Sequence, residues 1–271
     1  MIGYCVAISP KLASFRLRVL LPSKHVGPHV IGGLGDVTFF YKNGSPDLAK
    51  RLKTPIVYDV VNAHFDDPDY LRMCELATVI TCSSEVMAGI IKERVGTDSV
   101  VIPDPYENVE CEPAVVGDRV LWFGHQANFD SLKPYAGMGI DICSHGVWSL
   151  ENEASALATT GVVLLTGNNP GASANRPIKA LRAGRFVVAP EDCPESWREL
   201  SDFMWIGDAR EGIRWAFANR EEACRKVQSG QNYIRTRFSP QSIGSQWAGL
   251  FASTSAADIS TKTAGSALTS P

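Results

Sequence analysis

The chain has 271 residues, 45% of them hydrophobic, which is enough for two ordinary domains or one large one with a substantial core. A formal charge of −3 with 20% charged residues shows no global basic bias, which weighs against a protein made mainly to coat nucleic acid. Seven Cys with no C-x-x-C pair predict reduced thiols, and no stretch reaches the roughly 18 apolar residues of a membrane-spanning helix, so a soluble, cytoplasmic protein is expected.

The first strand is expected at Tyr4 to Ile8, ending in Ser9-Pro10. The following ASFRLRVLLP spaces Arg16 and Arg18 by two among aliphatic residues. If it opens a helix, both cations lie over the ligand edge of the sheet; otherwise they are a solvated pair on an amphipathic segment. His29 to Ile31 and Val37 to Phe40 read as short strands separated by turn glycines. Ser45-Pro46 starts a helix with a cap and a first-turn proline. Pro55 to Val61 is a strand, and Asn62-Ala63-His64-Phe65-Asp66-Asp67 follows it directly.

A His just past the end of a parallel strand is placed for proton transfer, and His64 is the candidate base. Asp59 within the strand is its weaker acidic neighbour, and Asp66 and Asp67 are candidates to orient the imidazole. The alternative is a purely structural His64. The other four His show no metal-ligand spacing with Cys or carboxylates, so no metal site is expected. A helix over 68–77, a strand over 78–82, a helix to about Val95 and a strand over 99–102 complete the first half. The proline-containing stretch from Pro103 to Gly117 then reads as a linker.

In the second half, Arg119 to Phe123 is a strand and Gly124 to Asn128 its ligand-edge loop, where Gly124 permits close backbone approach. Residues 128–135 and 152–159 are expected as helices around a strand at 139–143. The stretch GVVLLTGNNPGASANRPIKALRAGRFVVAP, 161–190, then reads as a strand, a polar loop, a helix with Pro177 in its first turn, and a strand. A helix N-terminus at the carboxyl end of a parallel strand suits a phosphate, and Asn175 and Arg176 stand there. An ordinary βαβ unit with a solvated loop is the competing reading. Helices over 195–200, 210–218 and 221–237, a strand over 203–206 and a last helix from Pro240 follow. The Ser, Thr, Ala and Gly-rich 253–271 is expected to be disordered.

The order of these elements resembles the GT-B-fold glycosyltransferases, notably the family-4-like group, over roughly residues 4 to 252. The local matches are SFRLRV (14–19), YDVVNAHF (58–65), TCSSEVMAGI (81–90), VIPDPYE (101–107), LWFGHQANFDSL (121–132) and NRPIKALRAGRFVVAP (175–190). The resemblance implies an α/β fold of two Rossmann-like domains facing a cleft, with a C-terminal helical segment. The acceptor-side domain would be 1–108, the donor domain with its closing helices 109–252.

The implied activity is metal-independent transfer of a sugar from a nucleotide-sugar, a UDP-sugar in particular, to a hydroxyl acceptor, with no other cofactor. The acceptor would be a glycan, a small molecule or a hydroxymethylated pyrimidine in DNA, the last in the manner of compact phage-type enzymes. By position, Arg16 and Arg18 would face the donor phosphates or the acceptor, and His64 would lie near the transferred sugar. Gly124 and Asn128 would line the donor pocket, and Ser173, Asn175 and Arg176, with Lys179 beside them, would hold the donor.

The family-4 pattern has two Glu seven residues apart around this loop and helix. Here the second aligns with Lys179 and the first falls near Ala172, so ribose recognition must differ and a retaining outcome cannot be inherited. The missing pair also leaves room for a second class of reading, a non-catalytic nucleotide-sugar binding protein.

Overall fold

The computed structural model describes residues 1–5, 12–144, 149–167 and 171–266. The expected continuation of the first strand to Ile8, its Ser9-Pro10 end, part of the loop before Gly171 and residues 267–271 lie outside the described residues. The chain forms two compact units, Met1–Pro105 with Pro240–Pro271, and Tyr106–Ser239.

The first unit carries a parallel sheet of six strands: β1 Ile2–Cys5, β2 His29–Ile31, β3 Val37–Tyr41, β4 Ile56–Val60, β5 Val79–Cys82 and β6 Val100–Val101, in the order β2-β1-β3-β4-β5-β6. Its central strands β3 and β4 are buried on both faces, as βαβ crossovers require, while the edge strands β2 and β6 are partly exposed. Alternation along them feeds two cores. Phe40, Tyr58, Val60 and Ile80 pack on one side with Tyr70, Met73, Met87 and Ile91. Phe39, Tyr41 and Val57 pack on the other with Phe15, Val19, Ile243, Trp247 and Phe251.

The helices start where local chemistry says they should. Ser45 accepts from the Leu48 N–H, Asp67 from the Asp69 N–H and Ser84 from the Met87 N–H, each satisfying an orphan donor of a first turn. Gly96 closes the Glu85–Val95 helix with φ 79°, the left-handed stop that favours glycine.

The long final helix, Pro240–Ser266, corrects two expectations. It belongs to the first unit rather than to the second domain, and it continues past 253 where disorder was expected. The reason is that β1, β3 and β4 present an apolar second face. Ile243, Trp247 and Phe251, four residues apart, form the stripe that covers it.

The second unit has a five-stranded parallel sheet: β7 Val120–Gly124, β8 Ile140–Ser144, β9 Val162–Leu164, β10 Phe186–Ala189 and β11 Trp205–Ile206, in the order β11-β10-β9-β7-β8. Its core joins Val163, Leu164, Phe186 and Val188 to Ile178, Leu181, Trp197 and the helices Ala209–Ala218 and Arg220–Arg237. The chain after the Asn175–Arg182 helix turns on Gly184 at φ 78°, where a side chain would run into the Glu112 carbonyl.

Candidate anion-binding site

Strand order locates the ligand edge of the second unit. From β7 the chain winds to β8 on one side, then crosses to β9 on the other. The winding therefore reverses between β7 and β9, and such a reversal opens a crevice outside the carboxyl ends of the strands. The two segments that leave that edge are Gly124 onward and Leu165-Thr166-Gly167.

Arg176 lies beside this crevice. The Asn175–Arg182 helix begins after Ala174, which has no polar side chain to cap its first N–H groups. Arg176 Nη2 donates to the Thr166 carbonyl at 3.0 Å, and the guanidinium carbon stands 5.0 Å from the ring centroid of Trp197. Its Nη1 is buried and, among the described residues, has no hydrogen-bond partner. With no carboxylate to compensate, burial lowers the guanidinium pKa from 12.5 to about 10.

Two glycines leave room for this cation. A Cβ at Gly124 would lie 3.2 Å from Nη1, and one at Gly167 would lie 2.9 Å from Nη2. The close approach expected at Gly124 is therefore made, within the chain, by Arg176 itself.

A set of buried polar groups, not anticipated from sequence, holds the crevice. Trp122 Nε1 donates to Thr166 Oγ1 at 2.9 Å, and Thr166 and Ser131 pair through their hydroxyls at 2.6 Å. Ser131 donates its proton to the Asn128 carbonyl at 2.6 Å, so the Thr166 hydroxyl donates to Ser131. Trp197 Nε1 donates to the Ser173 carbonyl at 3.0 Å, which fixes the ring under the guanidinium. A Trp inside β7 and a Thr two residues past β9 were the available signals, since a buried indole N–H needs an acceptor.

Of the other expected residues, Ser173 and Asn175 flank the helix start beside Arg176. Asn128 lies in the 3-10 helix Gln126–Tyr135, and its backbone N–H donates to the His125 carbonyl at 2.9 Å. Lys179 is a correction. Its ammonium is buried between Glu107 at 2.9 Å and Glu153 at 2.8 Å and is taken up by those carboxylates. Arg182 beside it reaches Glu110 at 2.8 Å and stacks 3.7 Å over Tyr106, so this face of the helix anchors residues 106–110.

In the first unit, His64 is exposed. Its Nε2 lies 3.3 Å from Asn62 Nδ2, and its ring meets Tyr70 edge-on at 5.9 Å. Asp66 stands 3.9 Å from Arg94 and Asp67 caps a helix, so neither orients the imidazole.

Arg18 and Asp59 are also corrected. Arg18 is 2% exposed, donates from Nε and Nη2 to Asp59 at 3.0 and 2.5 Å, reaches Asp104 at 3.4 Å and the Ile102 carbonyl, and stacks on Trp247 at 4.9 Å. Burial alone would lower its pKa, but Asp59 and Asp104 raise it instead. Asp59 also accepts from Thr81 at 2.8 Å, so this pair holds the sheet together rather than serving a substrate. Arg16 is buried in the same helical segment, whose middle, Arg16–Leu20, is wound as a π-turn.

Among the described residues no group of His, Cys, Asp or Glu is arranged to hold a metal ion, and no helix is long and apolar enough to cross a membrane. No family model and no curated protein sequence matches the chain. Solved structures do. Anabaena HepE in complex with UDP superposes with a TM-score of 0.72 at 10% identity, over 93% of this chain and 99% of that one. Sucrose-phosphate synthase from Thermosynechococcus elongatus gives 0.63 at 11% identity, over 93% and 81%. An alpha-glucosyltransferase in complex with UDP-glucose and DNA containing an abasic site gives 0.57 at 8% identity, over 93% and 99%. The chain shares the GT-B fold of these proteins.

Proposed function

We propose that the protein is a glycosyltransferase that moves a sugar from a nucleotide-sugar donor to a hydroxyl acceptor. The observation that carries this reading is Arg176: a buried guanidinium with one open N–H direction, beside an uncapped helix N-terminus, at the switch point of a parallel sheet. Such a cation is costly in the unliganded protein and is matched by a ligand that brings negative charge to it. The likeness to HepE, whose structures hold UDP and UDP-glucose, supports a UDP-sugar as that ligand.

In this reading the bond between the anomeric carbon and the β-phosphate oxygen breaks, and its electron pair leaves with the nucleoside diphosphate. Arg176 and the first helix N–H groups stabilise the charge that develops there. The acceptor oxygen forms the new bond to the anomeric carbon, and His64 takes the acceptor proton. No other cofactor is proposed. The buried state of Arg18 removes one cation from the basic path that a DNA acceptor would follow, while the likeness to a DNA-bound glucosyltransferase keeps hydroxymethylated DNA among the acceptors to be tested.

The test is mass-spectrometric turnover of UDP-glucose and other nucleotide-sugars with glycan, small-molecule and hydroxymethylated DNA acceptors, beside His64→Ala and Arg176→Met. Acceptor-dependent release of one nucleoside diphosphate, lost in both variants, supports the transferase. Saturable nucleotide-sugar binding without turnover on any acceptor supports the non-catalytic binding protein instead.

A further inference from the structure

Thr166, two residues past β9, is 1% exposed, and both its polar groups are engaged. Its hydroxyl accepts from Trp122 Nε1 at 2.9 Å and donates to Ser131 at 2.6 Å. Its carbonyl accepts from Arg176 Nη2 at 3.0 Å. One buried residue therefore joins β7 and the Gln126–Tyr135 helix to the cation of the crevice.

The hydroxyl chain has a single direction. It starts at an indole N–H, which can only donate, and ends at the Asn128 carbonyl, which can only accept. Every proton in the series Trp122, Thr166, Ser131 and Asn128 therefore points the same way, and the series cannot reverse. Bonds on both sides of the hydroxyl fix a β-branched side chain that is already stiff about its first torsion. The residue before it is held as well, because the Leu165 N–H donates to the Val188 carbonyl at 2.9 Å. The carbonyl of Thr166 thus meets Nη2 from a fixed place.

The Arg176 guanidinium is gripped in its plane by that carbonyl and on its face by the Trp197 ring at 5.0 Å. Two such anchors set the direction of the remaining side, Nη1, which is buried and has no partner among the described residues. A cation held in place before its ligand arrives loses little freedom on binding, so the quality of the hold bears directly on affinity.

We propose that Thr166 is a positioning residue of the crevice: clamped through its hydroxyl, it aims the Arg176 guanidinium so that Nη1 meets the phosphate of the nucleotide. This rests on the reading of Arg176 as a donor ligand. The hold itself belongs to the ligand-free protein and can be measured there.

The test is heteronuclear NMR of the arginine side chains in the ligand-free full chain, followed by calorimetric titration with UDP. The Arg176 signals are those missing in Arg176→Met. Thr166→Val removes the hydroxyl at nearly constant shape. Rotation of the Arg176 guanidinium about its Nε–Cζ bond should then quicken by at least about fivefold, and UDP affinity should fall by about fivefold to tenfold, as the loss of one hydrogen bond implies. Ser131→Ala removes the next link while leaving Trp122 its acceptor, and should change both readouts in the same direction. Thr166→Ser keeps a hydroxyl on the chain and should retain wild-type rotation and affinity.

Unchanged rotation in Thr166→Val overturns the proposal, as does quicker rotation with unchanged UDP affinity. If Thr166→Val does not fold, Ser131→Ala decides by the same two readouts. Wild type that does not bind UDP overturns the donor reading, and with it the ligand named here. The rotation measurement, made without ligand, reports the hold separately.

Discussion

Replacing Arg176 by Met should make the protein more stable and weaken its binding of the proposed nucleotide ligand. A guanidinium whose pKa falls from 12.5 to about 10 carries an opposing free energy of about 3 kcal/mol at neutral pH. Met keeps the apolar stem and removes this term. It forfeits the hydrogen bond to the Thr166 carbonyl and the stacking on Trp197, each about 1 kcal/mol. The net expectation is a gain of about 1 kcal/mol, or about 2–4 °C in the melting temperature.

The sign of the pH dependence follows from the direction of the shift. The folded pKa lies below the unfolded one, so the penalty is full below about pH 10 and disappears only as pH rises through it. The advantage of Arg176→Met should therefore be flat across the neutral range. Calorimetric titration with UDP should show the opposite trend in function, a loss of about 10- to 150-fold in affinity from one charge-assisted contact of about 1.5–3 kcal/mol. Saturating UDP should raise the melting temperature of the wild type far more than that of the variant. A variant that melts lower than wild type yet binds UDP equally well would refute both halves of the argument.

Gly124→Ala would place a methyl group 3.0 Å from the Trp122 ring and 3.2 Å from Arg176 Nη1. The expected outcome is a stability loss of about 1–3 kcal/mol together with weakened UDP binding, read by denaturant titration and calorimetry. Arg18→Met leaves Asp59 buried and uncompensated, so a loss of about 3–5 kcal/mol is expected, much of it recovered when Asp59→Leu is added. Chemical denaturation of the single and double variants checks this.

Lys179→Met leaves Glu107 and Glu153 facing one another without their cation. Two buried carboxylates then lack their counter-charge, so a stability loss of about 3–5 kcal/mol is expected in chemical denaturation. UDP affinity should change less than in Arg176→Met, because the ammonium is already paired with Glu107 and Glu153.

Much of this protein is determined locally and can be read from the chain. Ser45, Asp67 and Ser84 mark helix starts because a side-chain oxygen satisfies an orphan N–H within three residues of itself. Runs such as Val162 to Leu164 and Phe186 to Ala189 mark buried parallel strands, and Pro177 in a first turn marks the start of the helix after β9. Spacing and residue type suffice for these, since the partners are neighbours in sequence.

What the sequence alone misplaced depends on partners far along the chain. Arg18 looks like a phosphate ligand until Asp59, 41 residues on, and Asp104, 86 residues on, neutralise it. Lys179 looks like part of the donor site until Glu107, 72 residues earlier, takes its charge. The final helix joins the first unit because its Ile243, Trp247 and Phe251, with Phe15 and Val19, cover an apolar sheet face built by residues 2 to 57. A charged side chain is defined by its nearest counter-charge and a helix by the face it buries, and only the tertiary fold supplies either.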